Sequence, residues 1–356
     1  MGCCDEDHAA PIRPGLTSAD LAPPDVSRRS ILKGIGVIAG ALSAAGPAGA
    51  QAPLKKLKLA FCSQILCIIP YEVARAHGHW KKQGLDVELV YARGGNNAMQ
   101  ALVGGAVDYA ATALDVAIQA YAKGAEIRRF ATTGRLPLFA LLTAPKNADT
   151  IKSIKDLEGK TVGVSALGQA DHALLLYLLK QAGADKDKVQ YATLGVNILE
   201  ALRQGQVDAG FVQEPALTIL TRAGSRTLVN TMTLADAQKH LGGTHEFMGV
   251  AVLAKEIPQR RAEMIALARG LDDALKAMPK MRPEDMVGSL PQELVAGANL
   301  AELAEVLRKY SASLYPDTAA IELASARRVA DMLRIADLIK ADADVSGLHD
   351  TTIVGG

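Results

Sequence analysis

Aromatic side chains are scarce, at 4% of the 356 residues with a single tryptophan. That scarcity argues against stacking platforms for single-stranded nucleic acid or sugars. Charge excess is missing as well: 39 Lys and Arg stand against 38 Asp and Glu. Without a basic stripe, nucleic acid is excluded as a partner. No apolar run reaches the roughly 20 residues of a membrane-spanning helix. The long charge-free run begins at Gly34, and its apolar part is GIGVIAGALSAAG at residues 34–46. P-loop, G-x-S-x-G, H-E-x-x-H and dinucleotide fingerprints are absent, so no cofactor is expected. His77 and His79 form H-x-H without a third ligand placed by spacing, and no metal site is expected either. What is present is 49% hydrophobic and 22% charged, an ordinary globular balance in a chain of about two domains.

The uncharged stretch has a context. Ser27-Arg28-Arg29-Ser30-Ile31-Leu32-Lys33 precedes it and Ala50-Gln51-Ala52 follows. A basic region, an apolar region and an A-x-A site in that order make a signal peptide. The arrangement resembles a twin-arginine export signal, with Ile31 where an aromatic is usual. Cleavage after Ala52 and a periplasmic location are the expectations. Residues 1–26, with Cys3-Cys4-Asp5-Glu6-Asp7-His8, carry metal-ligand types but would leave with the signal. No lipobox precedes a cysteine, so no lipid anchor is expected.

The remaining chain contains a repeat. Ala101-Leu102-Val103-Gly104-Gly105-Ala106-Val107-Asp108 and Ala201-Leu202-Arg203-Gln204-Gly205-Gln206-Val207-Asp208 share Ala, Leu, Gly, Val and Asp in one register. Each reads as a helix end, a glycine suited to the left-handed turn, and a strand starting at Val-Asp. Strands are expected at 57–61, 86–91, 108–111, 138–143, 161–165, 189–194, 208–213 and 247–254. Helices are expected at 70–77 with Pro70 at the start, at 97–103, 171–182, 197–203, 258–278 and 317–335. Another is expected at 115–123, with Thr112 and Asp115 as a capping-box pair. Alternation of this kind predicts an α/β protein of two lobes joined by a hinge, with a ligand cleft between them. The predicted boundaries are 53–143 plus 247–356 for the first lobe and 144–246 for the second, with crossings near 144–147 and 242–246.

Several segments resemble one family. Ala76-His77-Gly78-His79-Trp80-Lys81-Lys82-Gln83-Gly84-Leu85-Asp86-Val87-Glu88-Leu89, both Ala-Leu-x-x-Gly-x-Val-Asp units, Leu157-Glu158-Gly159-Lys160-Thr161-Val162-Gly163-Val164, Gln213-Glu214-Pro215 and Asp344-Val345-Ser346-Gly347-Leu348-His349-Asp350-Thr351 are the matching stretches. Together they resemble solute-binding proteins of the nitrate/sulfonate/taurine and thiamine-pyrimidine-precursor type. The resemblance implies a periplasmic-binding-protein-like type II fold. It also implies a monomeric receptor that hands a small solute to an ABC permease in the inner membrane, and not an enzyme.

Candidate ligand contacts follow from position. The segment 63–69, with Gln64 and Leu66, follows the first strand, a cleft position in the resembled family. Asn96 and Asn97 open a helix whose free amides can hold a ligand oxygen, although N-capping explains them equally. Thr112 is similar. Gly168, Gln169 and His172 lie between strand and helix in the second lobe. Asp171 already places negative charge at that helix start, which disfavours a simple anion beside it. Glu214 at a strand end suits a ligand with N–H donors or positive charge, or else a hinge ion pair. Arg135 is its candidate counter-charge. Cys62 and Cys67, spaced C-x-x-x-x-C, fit buried thiols, a disulfide, or a nucleophile of the kind used by a sulfinate desulfinase on this fold.

Overall fold

The computed structural model describes residues 53–62 and 65–354, so the export-signal reading of 1–52 and the candidate Gln64 lie outside the described residues. The strands in chain order are β1 (Lys55–Cys62), β2 (Leu85–Ala92), β3 (Tyr109–Ala113), β4 (Ile127–Thr132), β5 (Ala140–Thr143), β6 (Thr161–Val164), β7 (Gln190–Thr193), β8 (Ala209–Val212), β9 (Thr227–Asn230) and β10 (Met248–Leu253). They form two five-stranded sheets ordered β2-β1-β3-β10-β4 and β7-β6-β8-β5-β9. The first three strands of each sheet are parallel. The fourth runs antiparallel to both neighbours. That fourth strand is where the chain arrives from the other sheet; a direct crossing reverses its direction, whereas parallel neighbours need a longer connection.

The helices are α1 (Ile65–Ala76), α2 (His79–Lys82), α3 (Gly95–Val103), α4 (Leu114–Ala122), α5 (Ala170–Gln181), α6 (Ile198–Arg203), α7 (Ala216–Arg222), α8 (Leu234–Leu241), α9 (Ile257–Ala277), α10 (Pro283–Gly288), α11 (Gln292–Val295), α12 (Leu300–Leu314) and α13 (Leu323–Ile335). No helix among the described residues is long and apolar enough to cross a membrane. The expected α/β class and two-lobed layout are present.

The repeated octapeptide acts alike in both lobes. Gly105 and Gly205 take φ of 73° and 65°, the left-handed turn that ends a helix at little cost only for glycine. One residue later the chain closes back: Ala106 N–H donates to Ala101 O at 2.9 Å and Gln206 N–H to Ala201 O at 2.8 Å. Each Asp then anchors the strand that follows to its parallel neighbour, β1 in one sheet and β6 in the other. Asp108 Oδ2 accepts from Lys58 N at 2.7 Å and Asp208 Oδ2 from Thr161 N at 2.9 Å.

Four expectations are corrected. Ala140–Thr143 pairs with β8 and β9, so the first crossing lies before residue 140 and not near 144–147. The C-terminal region is not confined to the first lobe, because α13 packs on α4 and on α5. Pro70 does not start α1 but lies inside it. A proline there has no N–H for Leu66 O; the Tyr315 hydroxyl donates to that carbonyl instead, at 2.8 Å. Thr112 does not cap α4: it lies within β3, and the N-cap is Ala113 with no side-chain bond.

The two crossings run side by side. Phe247 N–H donates to Gly134 O at 2.8 Å, and His245 N–H to Arg135 O at 2.8 Å. The linker between α12 and α13 joins them, with Thr132 N–H on Ala319 O at 2.9 Å and Arg135 N–H on Leu314 O at 2.8 Å. Under this strip Arg129 is fully buried, bonded to Glu246 Oε1 at 2.7 Å, Thr112 O at 2.9 Å and Phe247 O at 2.7 Å.

Candidate functional site

Strand ends and helix starts from both lobes converge on a cavity of about 750 Å³. From the first lobe come Cys62 at the end of β1, Cys67 in α1, the Arg93-Gly94-Gly95 turn before α3, and Val116 in α4. The second lobe contributes Ser165, Gln169 and Asp171 around the start of α5, and Gln213 and Glu214 after β8. In open α/β sheets this is where ligands bind, beyond the carboxyl ends of the strands. Phe139 and Phe247 come from the crossings. Phe139 stands edge-on to Phe211 at 6.2 Å and to Phe247 at 5.8 Å, giving the cavity an aromatic wall.

Among the lining residues Arg93 is the one cation, and its side chain is at the exposed end. The two carboxylates are each held. Asp171 is buried, accepting from Ser165 N at 2.5 Å and Ser165 Oγ at 2.6 Å. Burial raises its pKa, and the Ser165 bonds oppose the rise. Glu214 accepts from Thr218 N at 3.0 Å and Thr218 Oγ1 at 3.1 Å, which ties it to the first turn of α7. The Glu214–Pro215 peptide is cis. An anionic solute therefore meets buried carboxylates, whereas N–H groups find acceptors with lone pairs to spare.

Contacts already join the lobes here. Gln119 Nε2 of α4 donates to Gly168 O at 3.1 Å. The Gln169 carboxamide lies over Gly94 and Gly95, within 3.2 Å of where a side chain on Gly94 would begin.

Of the residues singled out by sequence, Cys62, Cys67, Gln169, Asp171 and Glu214 line the cavity; Leu66, Asn96, Asn97, Thr112, Arg135, Gly168 and His172 do not. Leu66 is in the core. Asn96 is half-buried, and Asn97 Nδ2 turns back to Arg93 O at 2.7 Å. Neither asparagine caps α3, whose N-cap is Gly94. Thr112 is buried, with its hydroxyl unpartnered. Arg135 faces the opposite way, donating through Nε to Ser313 O at 3.1 Å and through Nη2 to Ala312 O, so it is no counter-charge to Glu214. Gly168 N–H donates to His172 Nδ1 at 3.1 Å. The His172 ring is edge-on to Tyr191 at 5.1 Å, and burial lowers its pKa.

The two cysteines are buried, with no disulfide between them. Burial, and then the neighbouring Cys62, push the Cys67 thiol well up. His77 Nε2 meets Ser289 Oγ at 3.1 Å, and among the described residues no group of three His, Cys, Asp or Glu could hold a metal ion. Arg93 enters the sequence reading only through the resemblance of Arg93-Gly94-Gly95, with the two cysteines, to a sulfinate desulfinase, and the aromatic wall does not enter it. Position at strand ends was the available signal, since the β2 end places Arg93 as the β8 end places Glu214.

Comparison with known proteins agrees with this geometry. A solved protein of Bordetella bronchiseptica RB50 superposes with a TM-score of 0.72 at 25% identity, over 84% of this chain and 93% of that one. The periplasmic aliphatic sulphonate binding protein SsuA of Escherichia coli superposes with a TM-score of 0.64 at 22% identity, over 83% and 97%. The fold is that of periplasmic binding proteins. The 4-amino-5-hydroxymethyl-2-methylpyrimidine phosphate synthase of Schizosaccharomyces pombe is 24% identical over 142 residues, 40% of each chain. This chain thus spans about two-fifths of the length of the curated relatives it matches. The family described as NMT1/THI5 like matches residues 67–279, more than half of the sequence, and the chain belongs to that family.

Proposed function

We propose that the protein is a solute-binding receptor: the lobes close over a small organic molecule, and the closed form is what a membrane ABC permease accepts. The observation that carries this reading is the cavity of about 750 Å³ walled by both lobes, with Gln119–Gly168 and Gln169–Gly94 already meeting across its edge. A ligand that touches both lobes favours closure by its differential affinity. The walls suit a solute with a flat apolar body and N–H donors. Phe139, Phe211 and Phe247 meet the body; Glu214, Asp171 and the carboxamides of Gln169 and Gln213 receive the donors. The exposed Arg93 leaves room for one anionic end at the rim.

The test is thermal shift and calorimetry against sulfonates, nitrate, aromatic carboxylates and pyrimidines. Nitrogen-rich heterocycles are expected to stabilise the protein most. Glu214→Gln keeps shape and removes charge, and should weaken such a ligand by about 1 to 3 kcal/mol while leaving sulfonates unchanged or tighter. Binding of every ligand undisturbed by Glu214→Gln would remove Glu214 from the site.

A catalytic reading has one specific support, the synthase relatives. Against it, Cys67 is held protonated by burial, the reverse of the thiolate activation that a nucleophile needs.

A further inference from the structure

Behind the cavity, α4 of the first lobe meets α5 of the second, and the returning crossing passes between them. A second void lies there, of about 10 Å³, close to the size of one water molecule. Asp115, His245 and Glu246 line it, and each has one buried side-chain atom without a hydrogen-bond partner: Asp115 Oδ2, His245 Nδ1 and Glu246 Oε2. Ala170 and Leu174 of α5, Met332 of α13, and Pro137 and Phe247 of the crossings close the rest. Buried polar atoms without partners are uncommon; three around one void call for an occupant.

The three groups are not equivalent. Glu246 has Arg129 at 2.7 Å. Asp115, by contrast, is held by backbone amides, its own and that of Val116. Across the interface stands Asp171, a second buried carboxylate, from the opposite lobe. Closure strips water from Asp115 and brings it toward this like charge, and both effects disfavour the ionised form.

We propose that the Asp115–His245–Glu246 chamber is a proton-uptake site built into the lobe interface, so that closure is accompanied by protonation of Asp115. The neutral carboxyl donates its O–H into the chamber, where Glu246 Oε2 and a water of the fitting size accept, and the repulsion with Asp171 is removed.

The surrounding charges agree. Burial pushes the Asp115 carboxyl up to about 7, Asp171 adds to the rise, and Arg129 opposes it. Glu246 is raised by burial against the pull of Arg129, with Glu322 raising it further. Burial and then Arg328 push His245 down to about 3. His349, 3.8 Å from Glu246, is pushed down to about 4 by burial and then Arg129. Both rings are therefore neutral, and His245 titrates in the opposite sense to Asp115.

In the opened, hydrated state Asp115 returns to about 3.9. The closed form then binds the proton more tightly, so closure strengthens as pH falls through about 7 and that advantage is lost as pH rises above it.

The inference rests on lobe closure as read above, but its test needs no solute. Small-angle scattering of the solute-free full chain from pH 6 to 8 gives the closed-to-open ratio. The ratio in wild type, divided by that in Asp115→Asn, should be about tenfold higher at pH 6 than at pH 8. Equal pH responses in the two proteins would overturn the proposal while leaving the solute-binding reading standing. Should Asp115→Asn fail to fold, ¹³C-carboxyl NMR of the wild type decides: the assigned Asp115 carboxyl titrating near 7 supports the site, and that carboxyl in its ordinary range refutes it.

Discussion

Arg129 shows how a single residue can hide from sequence reasoning. In Ile127-Arg128-Arg129-Phe130 the paired arginines look like surface, and the segment was not expected to be a strand. The structure makes it β4 and buries Arg129 completely. Its guanidinium is satisfied by one carboxylate and two carbonyls, and Gly249 opposite has no side chain where a Cβ would overlap Ala131 O and the guanidinium itself. Arg129→Ala leaves Glu246 buried and unpaired, and should cost about 3 to 5 kcal/mol in urea unfolding. Replacing both, Arg129→Met with Glu246→Met, should recover much of that loss. A double variant as unstable as the single one would mean that Glu246 is not the reason. Glu214 and Gln169 were legible because each ends a strand or starts a helix within a recognisable motif. His172, named from the same helix start as Gln169, does not reach the cavity because its ring is engaged by Gly168 and Tyr191.

Elements were legible where periodicity and turn residues agreed. The octapeptide units fixed two helix ends and two strand starts to within a residue. Position 70 misleads because proline usually marks a helix's first turn, and its cost inside α1, an unserved Leu66 carbonyl, is met from 249 positions beyond Leu66, by Tyr315. Tyr315→Phe therefore should lose about 1 to 3 kcal/mol, the cost of a buried carbonyl left unsatisfied, measured by denaturant unfolding. A loss below a few tenths would show that Leu66 O finds another donor. The start of α13, expected at residue 317, is delayed to Leu323 because Asp317–Glu322 is already engaged. Ala319 N–H donates to Asp272 Oδ1 at 2.9 Å, and Ala319 O accepts from Thr132. By contrast α12 is absent from the expected helices although its sequence carries ordinary helical signals, with Leu303, Leu307, Tyr310 and Leu314 on the buried face and an Asn299 cap.

For the whole molecule, the fold class followed from alternation and from the repeat, because both depend on local pattern. The cavity's chemistry did not, since it arises where chain segments far apart in sequence meet. Receptor and enzyme also separate at this scale. If capture is the whole task, Cys62→Ser and Cys67→Ser should each keep solute affinity within about tenfold, roughly 1.4 kcal/mol. Turnover that disappears with either substitution would make the protein a catalyst. The paired crossings carry one more consequence. Two strands laid edge to edge and bonded at Gly134–Phe247 and Arg135–His245 form a ribbon. A ribbon flexes readily out of its own plane and resists shear within it, as a leaf spring does. In the proposed closure such a ribbon favours bending over sliding, so residues a long way from it, Gln169 and Gly94 among them, should return to the same register each time the lobes meet.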